Sequence, residues 1–129
     1  EACRRTGIHR DIMEMDRQYR TELEEGGRNL SSGQKQKLGL ARMFLRKDVS
    51  LYLLDEVTSD LDGGAEKQIA EQLEKVARNA IVISVSHKEE LLRRSKRIFV
   101  LDEGKITEAG THEDLMKESG LYQNLYLKE

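Results

Sequence analysis

The feature that most constrains the fold of this chain is a pair of short apolar runs separated by an amphipathic segment. The runs cover residues 51–54 and 80–85, and the second is rich in β-branched side chains. Between the runs, apolar side chains recur at helical spacing, at Ala65, Ile69, Leu73 and Val76. A strand, a helix and a strand over about 30 residues form a βαβ unit. The two strands are therefore predicted to be parallel and buried on both faces, which indicates an α/β fold.

Further helices and one hairpin are predicted around this unit. Residues 1–28 are polar and helical in tendency, a helix is predicted over residues 32–46, and residues 98–108 are typical of a hairpin with a glycine turn. Thr111 is predicted to cap the next helix, with Asp114 as its capping-box-like partner. A last short amphipathic helix is predicted from four side chains near the end of the sequence: Leu121, Tyr122, Leu125 and Tyr126.

Composition excludes several classes of protein. Charged residues make up 36% of the chain, but the net charge is only −2, so the signs are mixed and no nucleic-acid partner is indicated. The one cysteine, Cys3, cannot form an internal disulfide, which fits a reducing, cytosolic compartment. The apolar runs are far shorter than the ~20 residues of a membrane-spanning helix. Because the sequence starts at Glu1 inside a helix-like pattern, we expect it to be part of a longer polypeptide.

Residues 30–34 read Leu-Ser-Ser-Gly-Gln and stand at the start of a predicted helix. Ser31 can cap this helix and Gln34 can reach back to it, which is a capping box. Three cations crowd the same helix end, although the macrodipole favours negative charge there: Arg28, Lys35 and Lys37. An anion on the free N–H groups of Ser32 and Gly33 would resolve this conflict. Glu24 and Glu25 can also resolve it, so both interpretations stay open.

Two acids, Asp55 and Glu56, directly follow the first apolar run. Ligands of parallel sheets bind at the carboxyl ends of strands, so Asp55 is a candidate to hold Mg²⁺ through water, and Glu56 to orient or deprotonate an attacking water. His87 ends the second run and is expected at the same sheet edge, where an imidazole can donate to a phosphate oxygen. Polar residues also end strands without any such role, and a histidine there is often a plain loop residue.

The segment Ser-Asp-Leu-Asp follows the two acids and precedes the next predicted helix. It consists of Ser59, Asp60, Leu61 and Asp62. Either aspartate can simply cap that helix, so the segment alone does not indicate a function.

In this order and spacing, the four motifs resemble those of the ATP-binding cassette (ABC) ATPases. Residues 30–34 resemble the signature motif, residues 51–56 Walker B, residues 59–62 the D-loop, and His87 the switch histidine. The flanking "GTHEDLM" and "ELEEGG" are similar to the exporter-type subfamily, in which the ATPase follows a membrane domain. The resemblance implies the C-terminal part of a P-loop NTPase (RecA-like) parallel-sheet core, residues 47–129, with a remnant of the helical subdomain, residues 1–46.

The resemblance also implies roles for the motif residues. Glu56 and His87 would be catalytic, and Asp55 would hold Mg²⁺ through water. The signature would contact ATP held by a second cassette in a head-to-tail pair: Leu30, Ser31, Ser32, Gly33 and Gln34. The other implied partner is a transmembrane permease domain. The resemblance therefore implies a location at the cytoplasmic face of a membrane and a role in export. Three positions depart from the family pattern, where glycine, arginine and alanine are usual: Ser32, Lys37 and Asp60.

No phosphate-cradling Gly-x-x-x-x-Gly-Lys-Ser/Thr loop occurs in these 129 residues, because the only Gly-Lys pair is Gly104-Lys105 and Ile106 follows it. We therefore expect no ATP hydrolysis by this piece alone, and self-association through exposed sheet surface. One alternative is the C-terminal lobe of a chromosome-maintenance or repair ATPase, but residues 1–28 lack the heptads of its coiled coil. Another alternative is a non-catalytic regulatory module without a P-loop. The intact Glu56 counts against it, because such a module needs no catalytic carboxylate.

Overall fold

The computed structural model describes residues 1–118 and 120–127. The described chain folds into two compact units, residues 1–86 and the residues from His87 onward. No helix in the described ranges combines the length and the apolar character needed to cross a membrane.

The first unit holds six of the elements, with helices and strands in the order predicted. They are α1 (Ala2–Arg5), α2 (Ile8–Met13), α3 (Ser32–Phe44), β1 (Leu51–Asp55), α4 (Gly63–Val76) and β2 (Ile81–Val85). The helical tendency of residues 1–28 is confirmed, but the segment is broken into short pieces. Gly7, at φ +79°, separates α1 from α2, and two 3-10 turns follow α2, at Gln18–Arg20 and Glu25–Gly27.

The βαβ prediction is confirmed in its topology. Strands β1 and β2 are parallel neighbours, in register from Leu51 opposite Ile81 to Asp55 opposite Val85. Helix α4 connects them, and it buries Ile69 completely. Of the two aspartates that could cap α4, the structure uses Asp62, whose Oδ1 accepts a hydrogen bond from the Ala65 N–H at 2.9 Å.

The prediction that both faces of this sheet are buried is wrong. Leu54 is the only buried residue of β1, and one face of the two strands carries the exposed apolar side chains: Leu51, Leu53, Ile81, Ile83 and Val85. Successive side chains of a strand point to opposite faces. The exposed and the covered positions alternate along both strands, so only one face is covered within the described part of the first unit.

Helices α1, α2 and α3 share a small apolar core. Its buried members are Ala2, Ile8 and Ala41, and Cys3, Ile12, Leu38 and Phe44 pack against them. Three side-chain hydrogen bonds attach α1 to α4. Gln68 Nε2 donates to the carbonyls of Arg4 and Arg5 at 3.0 and 3.2 Å, and Arg5 Nε donates to Gln72 Oε1 at 3.0 Å. The helical part and the βαβ part are thereby joined in one unit.

The second unit contains the predicted hairpin and three short helices. Its elements are α5 (Glu89–Arg94), β3 (Ile98–Asp102), β4 (Lys105–Gly110), α6 (His112–Lys117) and α7 (Leu121–Tyr126). The strands are antiparallel, and Glu103 and Gly104 form their turn at φ +44° and +75°. Positive φ at both turn residues is the pattern of a type I′ turn, whose twist matches that of the strands.

A separate core holds this second unit together. It consists of Ile98, Val100, Leu115 and Tyr122. The Tyr122 hydroxyl lies 2.9 Å from Nδ1 of the buried His112, and burial raises the pKa of Tyr122 to about 12. Thr111 caps α6 by accepting from the Asp114 N–H at 3.2 Å, as predicted.

Replacing Ile69 by alanine is expected to lower the free energy of unfolding by about 2–5 kcal/mol, because it empties a fully buried site. Ile83→Ala in the same unit is the matched control, since Ile83 is 54% exposed. The control should cost less than about 1 kcal/mol. Urea denaturation followed by circular dichroism measures both, and equal losses would contradict the packing of α4.

Asp62 is expected to titrate below the usual range for aspartate. The hydrogen bond from the Ala65 N–H favours the carboxylate and lowers the pKa of Asp62. The stability that the cap contributes is therefore present above the pKa of Asp62 in the unfolded chain and is lost as the pH falls through the lowered folded value. NMR titration of the Asp62 carboxyl measures this, and a midpoint at or above the unfolded value would contradict it.

Candidate functional site

The two acids lie where the chain leaves β1. Asp55 is the last residue of the strand and is exposed, so its carboxylate is open to solvent. Glu56 turns the chain away at φ +48°, a left-handed conformation that is uncommon outside glycine, and its N–H donates to the Val85 carbonyl at 3.0 Å. Glu56 is thus held to the end of β2 in a conformation found disproportionately at functional sites.

A tight loop connects Glu56 to α4. The Ser59 N–H donates to the Glu56 carbonyl at 3.2 Å, and the Leu61 N–H donates to the Thr58 carbonyl at 3.2 Å. Thr58 is completely buried and Leu61 nearly so. The Ser-Asp-Leu-Asp segment is therefore a defined turn whose apolar side faces inward, with Asp62 at its end as the helix cap.

The predicted capping box at the start of α3 is confirmed. The Gln34 N–H donates to Ser31 Oγ at 3.1 Å, and the Ser31 N–H donates to Gln34 Oε1 at 3.0 Å. The backbone N–H groups of Ser32 and Gly33 have no acceptor in the described ranges. They point out of the first helical turn, where the macrodipole adds positive potential.

Two of the three cations at this helix end have internal partners. Lys37 Nζ lies 3.4 Å from Asp11 Oδ2, and the exposed Arg28 Nε lies 3.9 Å from Glu24 Oε2. The sequence offered Glu24 as one group that could balance the positive charge at this helix end. The ion pair of Lys37 with Asp11 was not predicted. Crowding of positive charge is therefore weaker support for an anion site than the sequence indicated.

The first turn of α3 packs directly against the Ser-Asp-Leu-Asp turn. A Cβ added to Gly33 would lie 2.9 Å from the Asp60 carbonyl oxygen, so only glycine fits. One turn further along α3, Gln36 Nε2 donates to Ser59 Oγ at 2.7 Å and to the Glu56 carbonyl at 3.3 Å, and Gln36 Oε1 accepts from the Asp60 N–H at 3.0 Å. The structure thus brings together the Leu-Ser-Ser-Gly-Gln stretch, Glu56 and the turn after it.

Gln36 is a site residue that sequence reasoning missed. Its partners are 20 to 24 residues away along the chain, and no local pattern marks such contacts. The only available signal was its position three residues after Gly33, which places both on one helix face.

His87 is the remaining predicted site residue. It is exposed, lies two residues beyond the end of β2, and is the first residue of the second unit. Its predicted position beside Glu56 stays a prediction.

The residues present fit an anion and a divalent cation in part. Free N–H groups at the start of α3 suit phosphate oxygens, and the exposed Asp55 carboxylate suits Mg²⁺. The described residues hold no group of three or more His, Cys, Asp or Glu side chains able to hold a metal ion. A magnesium ion at Asp55 would therefore need further oxygen ligands, such as phosphates and waters.

Comparisons with known families match the first part of the chain to one family. Residues 4–59 match the model of the family described as ABC transporter. The matched range includes the Leu-Ser-Ser-Gly-Gln stretch, both acids and Ser59.

Known proteins match nearly the whole chain. It is 38% identical to "ABC transporter aclQ" of Aspergillus oryzae, over 99% of the chain and 16% of that protein. It is 41% identical to "ABC transporter B family member 14" of Arabidopsis thaliana, over 97% of the chain and 10% of that protein. It is 36% identical to "ATP-dependent lipid A-core flippase" of Saccharophagus degradans, over 98% of the chain and 21% of that protein. The chain spans only these small shares of its relatives.

A solved structure has the same fold. The structure of a bacterial Atm1-family ABC exporter with ATP bound superimposes with a TM-score of 0.87 at 34% identity, over 98% of this chain and 22% of that chain. The α/β fold with its small parallel sheet, the motifs and the relatives agree. The chain belongs to the ABC transporter family, and its residues form part of the family's ATP-binding domain.

Proposed function

We propose that, in the complete protein, this chain is part of the domain that hydrolyses ATP and couples hydrolysis to export across a membrane. The packing of Gly33 and Gln36 against the turn after Glu56 carries this proposal. It joins a phosphate-binding helix end to a carboxylate at the end of a parallel strand, which is the position of ligand sites in such sheets. Relatives from a fungus and a plant, both named as ABC transporters, and a bacterial relative named as an ATP-dependent flippase support the same role.

Glu56 is the proposed general base for the attack of water on phosphorus. Its backbone is fixed by the Val85 carbonyl on one side and by Ser59 and Gln36 on the other. A carboxylate held in this way can orient a water molecule and accept its proton. Asp55, one residue earlier, would hold Mg²⁺ through water, and His87 would donate to a phosphate oxygen. When bound, ATP would supply the phosphoryl group and Mg²⁺ would compensate its negative charge.

The signature residues are proposed to act on a second nucleotide. The N-cap and first turn of α3 are formed by Ser31, Ser32, Gly33 and Gln34, and the preceding Leu30 is buried. The free N–H groups of this turn suit a phosphate held by another cassette. Ser32 adds a hydroxyl where the family usually has glycine, so we propose that it contributes a further donor to that phosphate.

The remaining partners lie outside these 129 residues. We propose that the complete protein contains a P-loop, a transmembrane domain and a second cassette, and that it works at the cytoplasmic face of a membrane. Without a P-loop, the 129 residues alone are proposed to be inactive. The exposed apolar face of β1 and β2 would be covered by further parts of the domain, or by a second copy when the chain is isolated.

Replacing Glu56 by glutamine in the complete protein is expected to lower kcat for ATP by about 100-fold or more, because glutamine cannot accept the proton. Binding of ATP should persist. Glu74→Gln, on the exposed part of α4, is the matched control and should keep the original rate. Phosphate release assays measure both variants, and undiminished turnover in Glu56→Gln would remove Glu56 from its proposed role.

Two glycines of α3 give a second test. Gly33→Ala places a methyl group 2.9 Å from the Asp60 carbonyl oxygen, whereas Gly39→Ala meets nothing within 4 Å. We expect Gly33→Ala to lower the ATPase rate of the complete protein by about 10-fold or more, because it separates the helix from the turn.

Gly39→Ala should leave the rate unchanged and raise stability by about 0.5–1 kcal/mol, since alanine is favoured inside helices. Equal rates for the two variants would show that the close approach of Gly33 to Asp60 is dispensable.

A further inference from the structure

Gln36 is a polar side chain of α3 that contacts both Glu56 and the turn after it, and it lies outside all four motifs predicted from the sequence. Its amide makes three hydrogen bonds, to the Glu56 carbonyl, the Ser59 hydroxyl and the Asp60 N–H, at 3.3, 2.7 and 3.0 Å. Gln36 is half-buried, which limits competition from water. All the partners belong to the segment that begins with the proposed general base.

The chemistry of these contacts requires an amide. One planar group must donate to two oxygens and accept from a backbone N–H at the same time, which neither a carboxylate nor an ammonium can do. The contacts also fall on backbone atoms of Glu56 and Asp60. They therefore set the course of the chain from Glu56 to Asp60 rather than the rotamer of a single side chain.

The backbone conformation of Glu56 depends on contacts that hold the chain from Glu56 to Asp60. At φ +48° a glutamate is in a sparsely populated region of backbone conformation, which persists only when the surroundings hold it. The Glu56 N–H is held by the Val85 carbonyl at 3.0 Å, and its carbonyl accepts from the Ser59 N–H at 3.2 Å. The bond from Gln36 Nε2 to the Glu56 carbonyl connects this residue to α3.

We propose that Gln36 is a positioning residue that fixes the backbone of Glu56 and of the Ser59–Asp60 turn to the first turns of α3. This inference rests on the proposed function. If the signature contacts one nucleotide and Glu56 acts on another, Gln36 makes the two contacts parts of one rigid piece. A shift of the signature on its nucleotide then moves the carboxylate at the other.

The test replaces Gln36 by methionine in the complete protein, which keeps the length of the side chain and removes all three hydrogen bonds. We expect kcat for ATP to fall roughly 10- to 100-fold, the scale of a misplaced catalytic group. The KM for ATP should change by less than about threefold, because the proposed P-loop holds the nucleotide elsewhere. An unchanged kcat would overturn the inference.

Gln68→Met is the matched control. Gln68 is also half-buried in the first unit, and its Nε2 also donates to two distant oxygens, the carbonyls of Arg4 and Arg5 at 3.0 and 3.2 Å. Its loss should lower the melting temperature without lowering kcat per folded molecule. If both variants lose kcat only in proportion to folded protein, Gln36 is merely structural and the inference is wrong.

A second pair of variants covers the case in which Gln36→Met does not fold. Gln36→Glu keeps the acceptor for the Asp60 N–H and loses both donated bonds, so it should fold and show a smaller fall in kcat. Ser59→Ala removes one partner of the amide, and the loss of kcat in the double variant with Gln36→Glu should be smaller than the product of the two separate losses. Independent, multiplying effects of the two changes would overturn the inference.

The Glu56→Gln variant separates this inference from the proposed function. An inactive Glu56→Gln protein together with a fully active Gln36→Met protein would overturn the role of Gln36 alone. Turnover that survives Glu56→Gln would overturn the proposed function, and the role of Gln36 with it.

Discussion

The close packing of the first turns of α3 against the turn that follows Glu56 is the contact on which the functional arrangement depends. Gly33 leaves no room for a side chain beside the Asp60 carbonyl, and Gln36 satisfies three polar groups of the same segment. Each contact needs the other. The approach is close enough for the amide only because position 33 has no Cβ, and the backbone groups of the turn are satisfied by that amide.

If the proposed function holds, this contact explains how a short piece of chain carries parts of two sites. The N–H groups of Ser32 and Gly33 leave α3 from its first turn, and Asp55 and Glu56 leave the sheet at the end of β1. A helix end and a strand end are both rigid, so groups mounted on them keep their geometry. Under the proposed function, the helix end meets one phosphate and the strand end serves another.

Much of the fold and part of the site were predictable from the sequence, for local reasons. The capping box, the parallel βαβ unit, the glycine turn of the hairpin and the Thr111 cap depend on residues close together in sequence, and each was confirmed. The predicted burial of both sheet faces was wrong, because burial depends on what else packs against Leu53 or Ile83. The ion pair of Lys37 with Asp11 and the contacts of Gln36 were missed because they join residues 20 or more positions apart. The roles of the motif residues and the position of His87 remain predictions.

The central claim is that these residues carry the general base and the signature of a cassette but depend on a P-loop elsewhere to hold ATP. Its most direct test is a calorimetric titration of the 129-residue chain with Mg·ATP, alongside an assay for released phosphate. The account predicts no saturable binding below about 1 mM, the upper end of ordinary KM values, and no hydrolysis. Saturable binding in the micromolar range with turnover by this chain alone would contradict it.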